Sequence, residues 1–280
     1  MLTDAHCHPC DLFFEYHDAE KKRRTVLSPK GDKGVIAAAS AWNVNEFAYN
    51  EELSLNAAAE NKARMLLCFA VHPQLPANCL EKNTRFKEDD LNASLYFIYK
   101  AAKSGKLSAV GEFGFDLFND DYKKTETVQD MIFETHLKAA IDNNLPVVLH
   151  VRRATRKIFL YTKKLLKCKA VIFHSWPGTS EEALSLLNRG INAYFSFGNI
   201  ILLNHKQAMK SVSLLPADRI LTETDAPYQP RGNEKKSCWN DIPLILKAAA
   251  SLRSKAGNTI SAEDLETRIE LNFKKAFNIN

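Results

Sequence analysis

His6-Cys7-His8 sets two imidazoles two residues apart near the start of the chain. In an extended strand successive side chains alternate, so both rings project to one side and Cys7 to the other. Two neutral imidazoles on one edge are a donor pair for a transition metal; a strand-end hydrogen-bond network is the alternative. Asp4 shares their parity and is a candidate to orient a ligating ring from behind, or to cap the strand. Further along, Ala109–Asp116 is an apolar strand carrying Glu112 between Gly111 and Gly114. A carboxylate buried there is costly unless it is paired or bound to a cation, and the glycines let other backbone come close. Glu112 is therefore a candidate bridge between two ions, while Asp116 reads equally as a cap or a member of the site. His150 ends the run Pro146–Val151, with Arg152 two residues on and able to hold a phosphate; His174 ends Ala170–His174 in the same way. The apolar run at Ile220 closes on Glu223 and Asp225. Asp225 is a candidate ligand and general base, and Glu223 a supporting partner of a ligand. Salt bridging inside the fold is the alternative for both acids.

These residues sit at the ends of short apolar runs separated by longer stretches of helical period, the pattern of parallel strands joined by helices. Strands are expected at Leu2–His8, Val35–Ser40, Met65–His72, Leu107–Phe115, Pro146–Val151, Ala170–His174, Ile191–Ser196 and Arg219–Thr224. Helices are expected near 45–62, 90–104, 125–143, 153–167, 179–189, 204–214, 239–256 and 261–277. Between His8 and Val35 the basic run Lys21–Arg24 and Ser28-Pro29-Lys30-Gly31-Asp32 predict an exposed loop or hairpin. Eight strands with repeated crossovers form either an open doubly wound sheet or a closed barrel. Five of them carry histidine or acid at or just past the C-terminal end: His6 and His8, Glu112, His150, His174 and Asp225. A barrel brings all five ends to one face, where an open sheet would spread them. The fold expected is therefore a (β/α)8 TIM barrel, with residues 1–280 as one domain.

The chain has 280 residues, 45% hydrophobic and 25% charged, which suits a globular protein with a large core. No apolar run approaches the roughly 20 residues that cross a bilayer, and the N-terminus lacks a signal-peptide layout, so no membrane and a cytoplasmic location are expected. Six scattered cysteines do not form a small disulfide framework. Cys7 and Cys10 have Cys-X-X-Cys spacing, but no second pair completes a structural zinc site. The net charge of +5 suits a polyanionic partner without requiring one.

Taken in order, Asp4-Ala5-His6-Cys7-His8, Gly111-Glu112-Phe113-Gly114-Phe115-Asp116, His150-Val151-Arg152, His174-Ser175-Trp176-Pro177-Gly178 and Glu223-Thr224-Asp225-Ala226-Pro227-Tyr228 resemble the TatD family of metal-dependent deoxyribonucleases, within the amidohydrolase superfamily of distorted TIM barrels. The similarity runs nearly the length of the chain. It implies two divalent ions, one held by His6, His8, Glu112 and Asp225 and the other by Glu112, His150 and His174, with hydrolysis of DNA phosphodiesters, often from the 3′ end. Two departures bear on substrate. The family's Gly-Ile-His-Pro-His reads Ala70-Val71-His72-Pro73-Gln74 here, and its His-Cys-Phe-Ser-Gly reads His174-Ser175-Trp176-Pro177-Gly178.

The function expected is a divalent-metal-dependent hydrolase acting as a deoxyribonuclease on single strands or 3′ ends, with no oligomer predicted. Asp225 takes the proton of an attacking water and Glu112 bridges the ions. Arg152 and His72 contact the phosphate, Trp176 or Tyr228 stacks on a base, and Asp4 and Glu223 support the ligands. Imidazoles favour Zn or Mn, whereas phosphoryl chemistry commonly runs with Mg. Two other readings use the same residues differently: an amidohydrolase acting on a small amide, lactone or ester, and a non-catalytic nucleic-acid-binding barrel.

Overall fold

The computed structural model describes residues 1–14, 34–59, 63–80 and 88–280; the basic run Lys21–Arg24 and most of the loop or hairpin expected before Val35 lie outside them. Eight strands form one sheet in sequence order. They are β1 (Leu2–Cys7), β2 (Val35–Ala41), β3 (Ala63–Phe69), β4 (Ala109–Asp116), β5 (Val147–Arg152), β6 (Val171–Phe173), β7 (Ala193–Phe197) and β8 (Ile220–Thr222). Each lies parallel to the next. A strand order that never doubles back is that of a barrel, and it excludes a doubly wound sheet, which reverses at a switch point.

The barrel closes where β1 meets β8. His6 O accepts from Asp225 N at 2.9 Å, Ala226 O accepts from His8 N at 2.7 Å, and Thr3 O accepts from the Thr222 hydroxyl at 2.8 Å. The Asp4 carboxylate completes the seam, accepting from Thr224 N at 2.9 Å, from the Thr224 hydroxyl at 2.5 Å and from His6 N at 3.2 Å.

All eight expected strands form, but β6 and β8 are only three residues long and β3 stops at Phe69. His72, His174 and Asp225 therefore lie beyond their strand ends, where the backbone turns and the side chains reach across the mouth. Helix formation departs more. Short helices at Pro9–Phe14, Leu75–Leu80 and Asp120–Lys124 carry too few turns to show a 3.6-residue period. The helix expected over 153–167 divides at Tyr161 into Thr155–Leu160 and Thr162–Leu165.

An inner layer fills the barrel: Ile36 and Ala38, Leu66 and Cys68, Val148, Ala170 and Ile172, Tyr194, and Leu221. Phe273 and Phe277 of the last helix, Ala262–Phe277, pack against this layer. A second, larger layer of apolar residues packs the outer face of the strands against the helices. Continuing the inward parity toward the C-terminal ends gives Ser40 on β2, His150 on β5, His174 after β6, Ser196 on β7 and Glu223 after β8. Toward the C-terminal ends the interior thus changes from aliphatic to polar.

His136 shows what a purely structural histidine looks like here. It is buried on helix Glu126–Asp142, accepts from Val71 N at 3.0 Å and pairs through Nδ1 with Ile132 O at 2.7 Å. Burial lowers its pKa from 6.5 to about 4. The unfolded ring protonates first as pH falls, so the stability supported by the neutral ring is complete above pH 6.5 and is lost as pH drops toward 4. His136→Gln is expected to remove up to about 3 kcal/mol of that acid-side slope, measured by urea unfolding at a series of pH values; an unaltered slope would contradict the assignment.

Candidate metal centre

Two irregularities in the strands aim the central residues. Between the β1–β2 pairs Asp4–Ala37 and Cys7–Ala39, two residues of β1 face one of β2. Between the β4–β5 pairs Gly111–Val148 and Phe113–Leu149, Glu112 is the extra residue. Strict alternation from Ala109 and Gly111 would point Phe113 inward and Glu112 toward the helices. The bulge reverses this: Phe113 packs outward on Phe133, and Glu112 enters the barrel. Gly114 permits the close approach of β5, since a Cβ there would lie 1.9 Å from His150 O.

Glu112 sits at the centre of the convergence, 4% exposed, with its two oxygens facing different groups. Oε2 lies 3.1 Å from His6 Nε2 and 3.5 Å from His8 Nε2. Oε1 lies 2.7 Å from His150 Nδ1, 2.9 Å from His174 Nε2 and 3.4 Å from His72 Nε2. Asp225 Oδ1 completes the first group, 3.6 Å from His6 Nε2 and 3.5 Å from His8 Nε2, while those two ring nitrogens are 3.0 Å apart. In the second group His174 Nε2 and His150 Nδ1 are 3.4 Å apart.

Donor atoms about 2.1 Å from a shared ion stand roughly 3.0 to 3.4 Å from one another. The spacings in both groups fall close to that range, and three sets of donors are close enough to hold an ion: His6, His8 and Asp225; His6, Glu112 and His174; and His72, Glu112 and His150. Ring nitrogens aimed at one another at this distance need a cation or a proton between them. The electrostatics agree. Burial opposes charge on every member, yet the surrounding histidines hold Glu112 well below the usual carboxylate range. Against the same burial, hydrogen bonds to Asp225 and Glu112 raise His8 to about 10, and Glu112 and Glu223 hold His174 well above an ordinary imidazole. For His6 and His72 burial prevails and their pKa values fall.

His6, His150, His174 and Asp225 each have a partner on the outer side. Ser40 Oγ meets His6 Nδ1 at 3.1 Å. Asp116 Oδ2 meets His150 Nε2 at 3.2 Å and accepts from Gln74 Nε2 at 2.7 Å. Glu223 approaches His174 Nδ1 at 3.4 Å and is itself held by the Ser196 hydroxyl. Gln229 Nε2 donates to Asp225 Oδ2 at 2.8 Å and to Ser175 Oγ at 3.0 Å.

Several sequence expectations change at this level. Asp4 orients no ring; its carboxyl, pushed up to about 7 by burial, serves the β1–β8 seam, and Ser40 takes the place expected for it behind His6. His72, expected at the substrate, lies beside Glu112 Oε1, its ring T-shaped on His150 at 4.6 Å. Trp176 is fully buried, packed on Phe173 and Phe195, because Gly178 leaves room for its ring; it cannot stack on a base. Arg152 and Tyr228 do reach the rim of a cavity of about 850 Å³ that opens over the cluster. Arg152 lies over Phe118 at 3.6 Å, and Tyr228 donates to Asp11 at 2.7 Å. Ser40, Gln74 and Gln229 were missed. Ser40 was legible from the parity of β2, whereas Gln74 and Gln229 lie in turns where no period operates.

The family model described as TatD related DNase matches residues 3–278. A metal-dependent hydrolase of Buchnera aphidicola is 28% identical over all of this chain and 97% of its own length. The 3'-5' ssDNA/RNA exonuclease TatD of Erwinia tasmaniensis is 30% identical over 64% of this chain and 70% of its own. The crystal structure of YjjV, a TatD homolog from Escherichia coli, superposes with a TM-score of 0.77 at 23% identity, covering 100% of this chain and 98% of that one. That likeness concerns the fold.

Removing the Asp4 carboxylate leaves three buried donors, Thr224 N, the Thr224 hydroxyl and His6 N, without their acceptor. Asp4→Ala is expected to cost about 3 kcal/mol of stability, read as a lower urea midpoint; a change under 1 kcal/mol would show that the seam does not depend on it.

Proposed function

The chain belongs to the TatD related DNase family and is a metal-dependent hydrolase; on that premise we propose that it hydrolyses phosphodiester bonds of single-stranded DNA from the 3′ end, with residues 1–280 acting as one barrel domain. The observation that carries this reading is the division of Glu112, one oxygen toward His6 and His8 and the other toward His150, His174 and His72. His6, His8, Asp225 and Glu112 would hold one divalent ion; Glu112, His150 and His174, joined by His72, would hold the other. Zn, Mn and Mg all suit this mixed imidazole and carboxylate set. Two such ions supply a water of lowered pKa and positive charge against the phosphate oxygens.

The chain's own residues do the rest. Asp225 faces the first group through Oδ1, while Oδ2 accepts from Gln229 and has a lone pair left for the proton of the attacking water. Arg152, at the rim, presents a planar fork of donors to the scissile phosphate. Tyr228, 45% exposed and T-shaped on His8, offers a ring edge and face to the terminal base. The exonuclease name of the Erwinia tasmaniensis relative supports the 3′ polarity. Six free cysteines suit the reducing cytoplasm. Among the described residues no helix is long and apolar enough to cross a membrane.

The test is chelation followed by re-addition of Mg, Mn or Zn singly, with a single-stranded oligonucleotide, a nitrophenyl phosphodiester and a panel of small amides and lactones as substrates. Hydrolysis of the phosphodiesters should vanish on chelation and return with at least one ion. Asp225→Ala should lower it by on the order of 10²-fold or more. Hydrolysis of amides or lactones alone would overturn the nuclease reading in favour of a small-molecule amidohydrolase. Salt-sensitive DNA binding without turnover would make the barrel a binding module.

A further inference from the structure

Beside Arg152 lies a second arginine that the chemistry above does not use. Arg152 ends β5, and in an extended chain Arg153 would point the other way. Arg153 instead adopts φ +53, a left-handed conformation disfavoured for a residue with a Cβ, and its guanidinium lies 4.7 Å from the centre of the Phe118 ring that Arg152 covers at 3.6 Å. Both arginines are exposed, and with Phe118 they line the mouth of the cavity over the metal centre.

Two like charges gathered on one ring repel each other unless something negative lies near. Among the described residues Arg152 has only Asp116 Oδ2, 3.9 Å away. Arg153 has no ion pair among the described residues. The acids that follow Phe118 are taken: Asp120 accepts from Lys123 at 2.9 Å and Asp121 from Lys124 at 2.7 Å. Phe118 offers a quadrupole that tolerates cations but does not neutralise two of them, and 40% of it remains exposed.

The ledge is held firmly to the metal centre. Leu117 N donates to Arg152 O at 2.9 Å, extending the β4–β5 pairing past both strand ends. Buried Asp116 accepts from Phe118 N through Oδ1 at 3.0 Å and meets His150 through Oδ2. One carboxylate therefore sets both the candidate ligand His150 and the ring on which the arginines rest.

We propose that Arg153 and Phe118 form a second binding subsite, which takes the phosphate and base of the nucleotide next to the scissile bond. The inference rests on the nuclease reading and adds to it. A guanidinium without a carboxylate partner matches a second backbone phosphate, and a half-exposed aromatic ring matches a base of any identity. A single phosphodiester reaches Arg152 but leaves Arg153 unused, so the enzyme selects a strand over an isolated diester.

The experiment compares wild type, Arg153→Ala, Arg153→Lys and Phe118→Leu, each metal-loaded and checked for an unaltered melting temperature. Binding of a fluorescent phosphorothioate single-stranded octanucleotide is followed by anisotropy across a salt series, and kcat/KM is measured on the unmodified oligonucleotide and on a nitrophenyl phosphodiester. Arg153→Ala should weaken binding about tenfold, reduce the slope of log affinity against log salt by about 0.7, and lower the ratio of the two kcat/KM values about tenfold. Arg153→Lys should keep the salt slope, and Phe118→Leu should weaken binding without changing it. Binding and selectivity in Arg153→Ala equal to wild type would overturn the subsite while leaving the nuclease reading intact. An equal loss on both substrates would overturn it too, making Arg153 a support of the metal centre. Wild-type binding that depends on Arg153 without any cleavage of nucleic acid would keep the subsite and overturn the nuclease reading.

Discussion

A carboxylate taken out of water among apolar strands is unstable alone, and the arrangement around Glu112 is a response to that constraint. Five imidazole nitrogens come within 3.5 Å of its two oxygens, drawn from β1 and the residue after it, from β5, and from the segments after β3 and β6. None of those histidines has another strong anionic partner except where Asp225, Asp116 or Glu223 stands behind or beside it. The cluster gathers imidazole nitrogens and the carboxylate oxygens of Glu112 and Asp225 around one centre, a set of lone-pair donors that suits cations better than it suits a network of protons.

The barrel provides this convergence through small departures from regularity. The bulges at Ala5–His6 and at Glu112 turn residues inward that alternation would turn outward. A bulge leaves a residue unpaired and bends its strand, a local cost that the packed layers on both sides of the sheet offset. Gly111 and Gly114 keep β4 close to β5: a Cβ at Gly111 would sit 2.5 Å from Val148 Cβ. Rigid strands below and turns above give the site fixed ligands and an adaptable rim, the division of labour expected when chemistry is constant and substrate contacts vary.

The outer partners give the site its individual character. Gln74 donates to Asp116, the carboxylate behind His150, and Gln229 bridges Asp225 and Ser175 across the ends of β6 and β8. Ser175, Asp225 and Gln229 all have positive φ, as does Arg153 at the end of β5, so strained backbone recurs around the mouth of the barrel. Neutral amides and hydroxyls in these places orient the charged groups without adding charge that the cavity would have to accommodate.

The amino-acid sequence by itself determined the class of fold and singled out most of the histidines and acids that meet at the mouth of the barrel. Both depend on local signals: apolar runs of strand length, helical periods between them, and histidines and acids at strand ends, which a barrel gathers on one face. It could not determine which way a residue points where a bulge resets the alternation, so Glu112 was identified by the cost of burying it and not by its parity. Nor could it separate residues alike in one dimension. Asp4 and Glu223 both have the parity of a supporting carboxylate, yet one closes the seam and the other stands behind His174. Trp176 and Tyr228 both follow strand ends, yet one fills the core and the other the rim. Gln74, Gln229 and the pairing of Arg153 with Phe118 were decided by tertiary structure alone, because contacts across strand ends depend on barrel register and turn geometry that no spacing along the chain encodes.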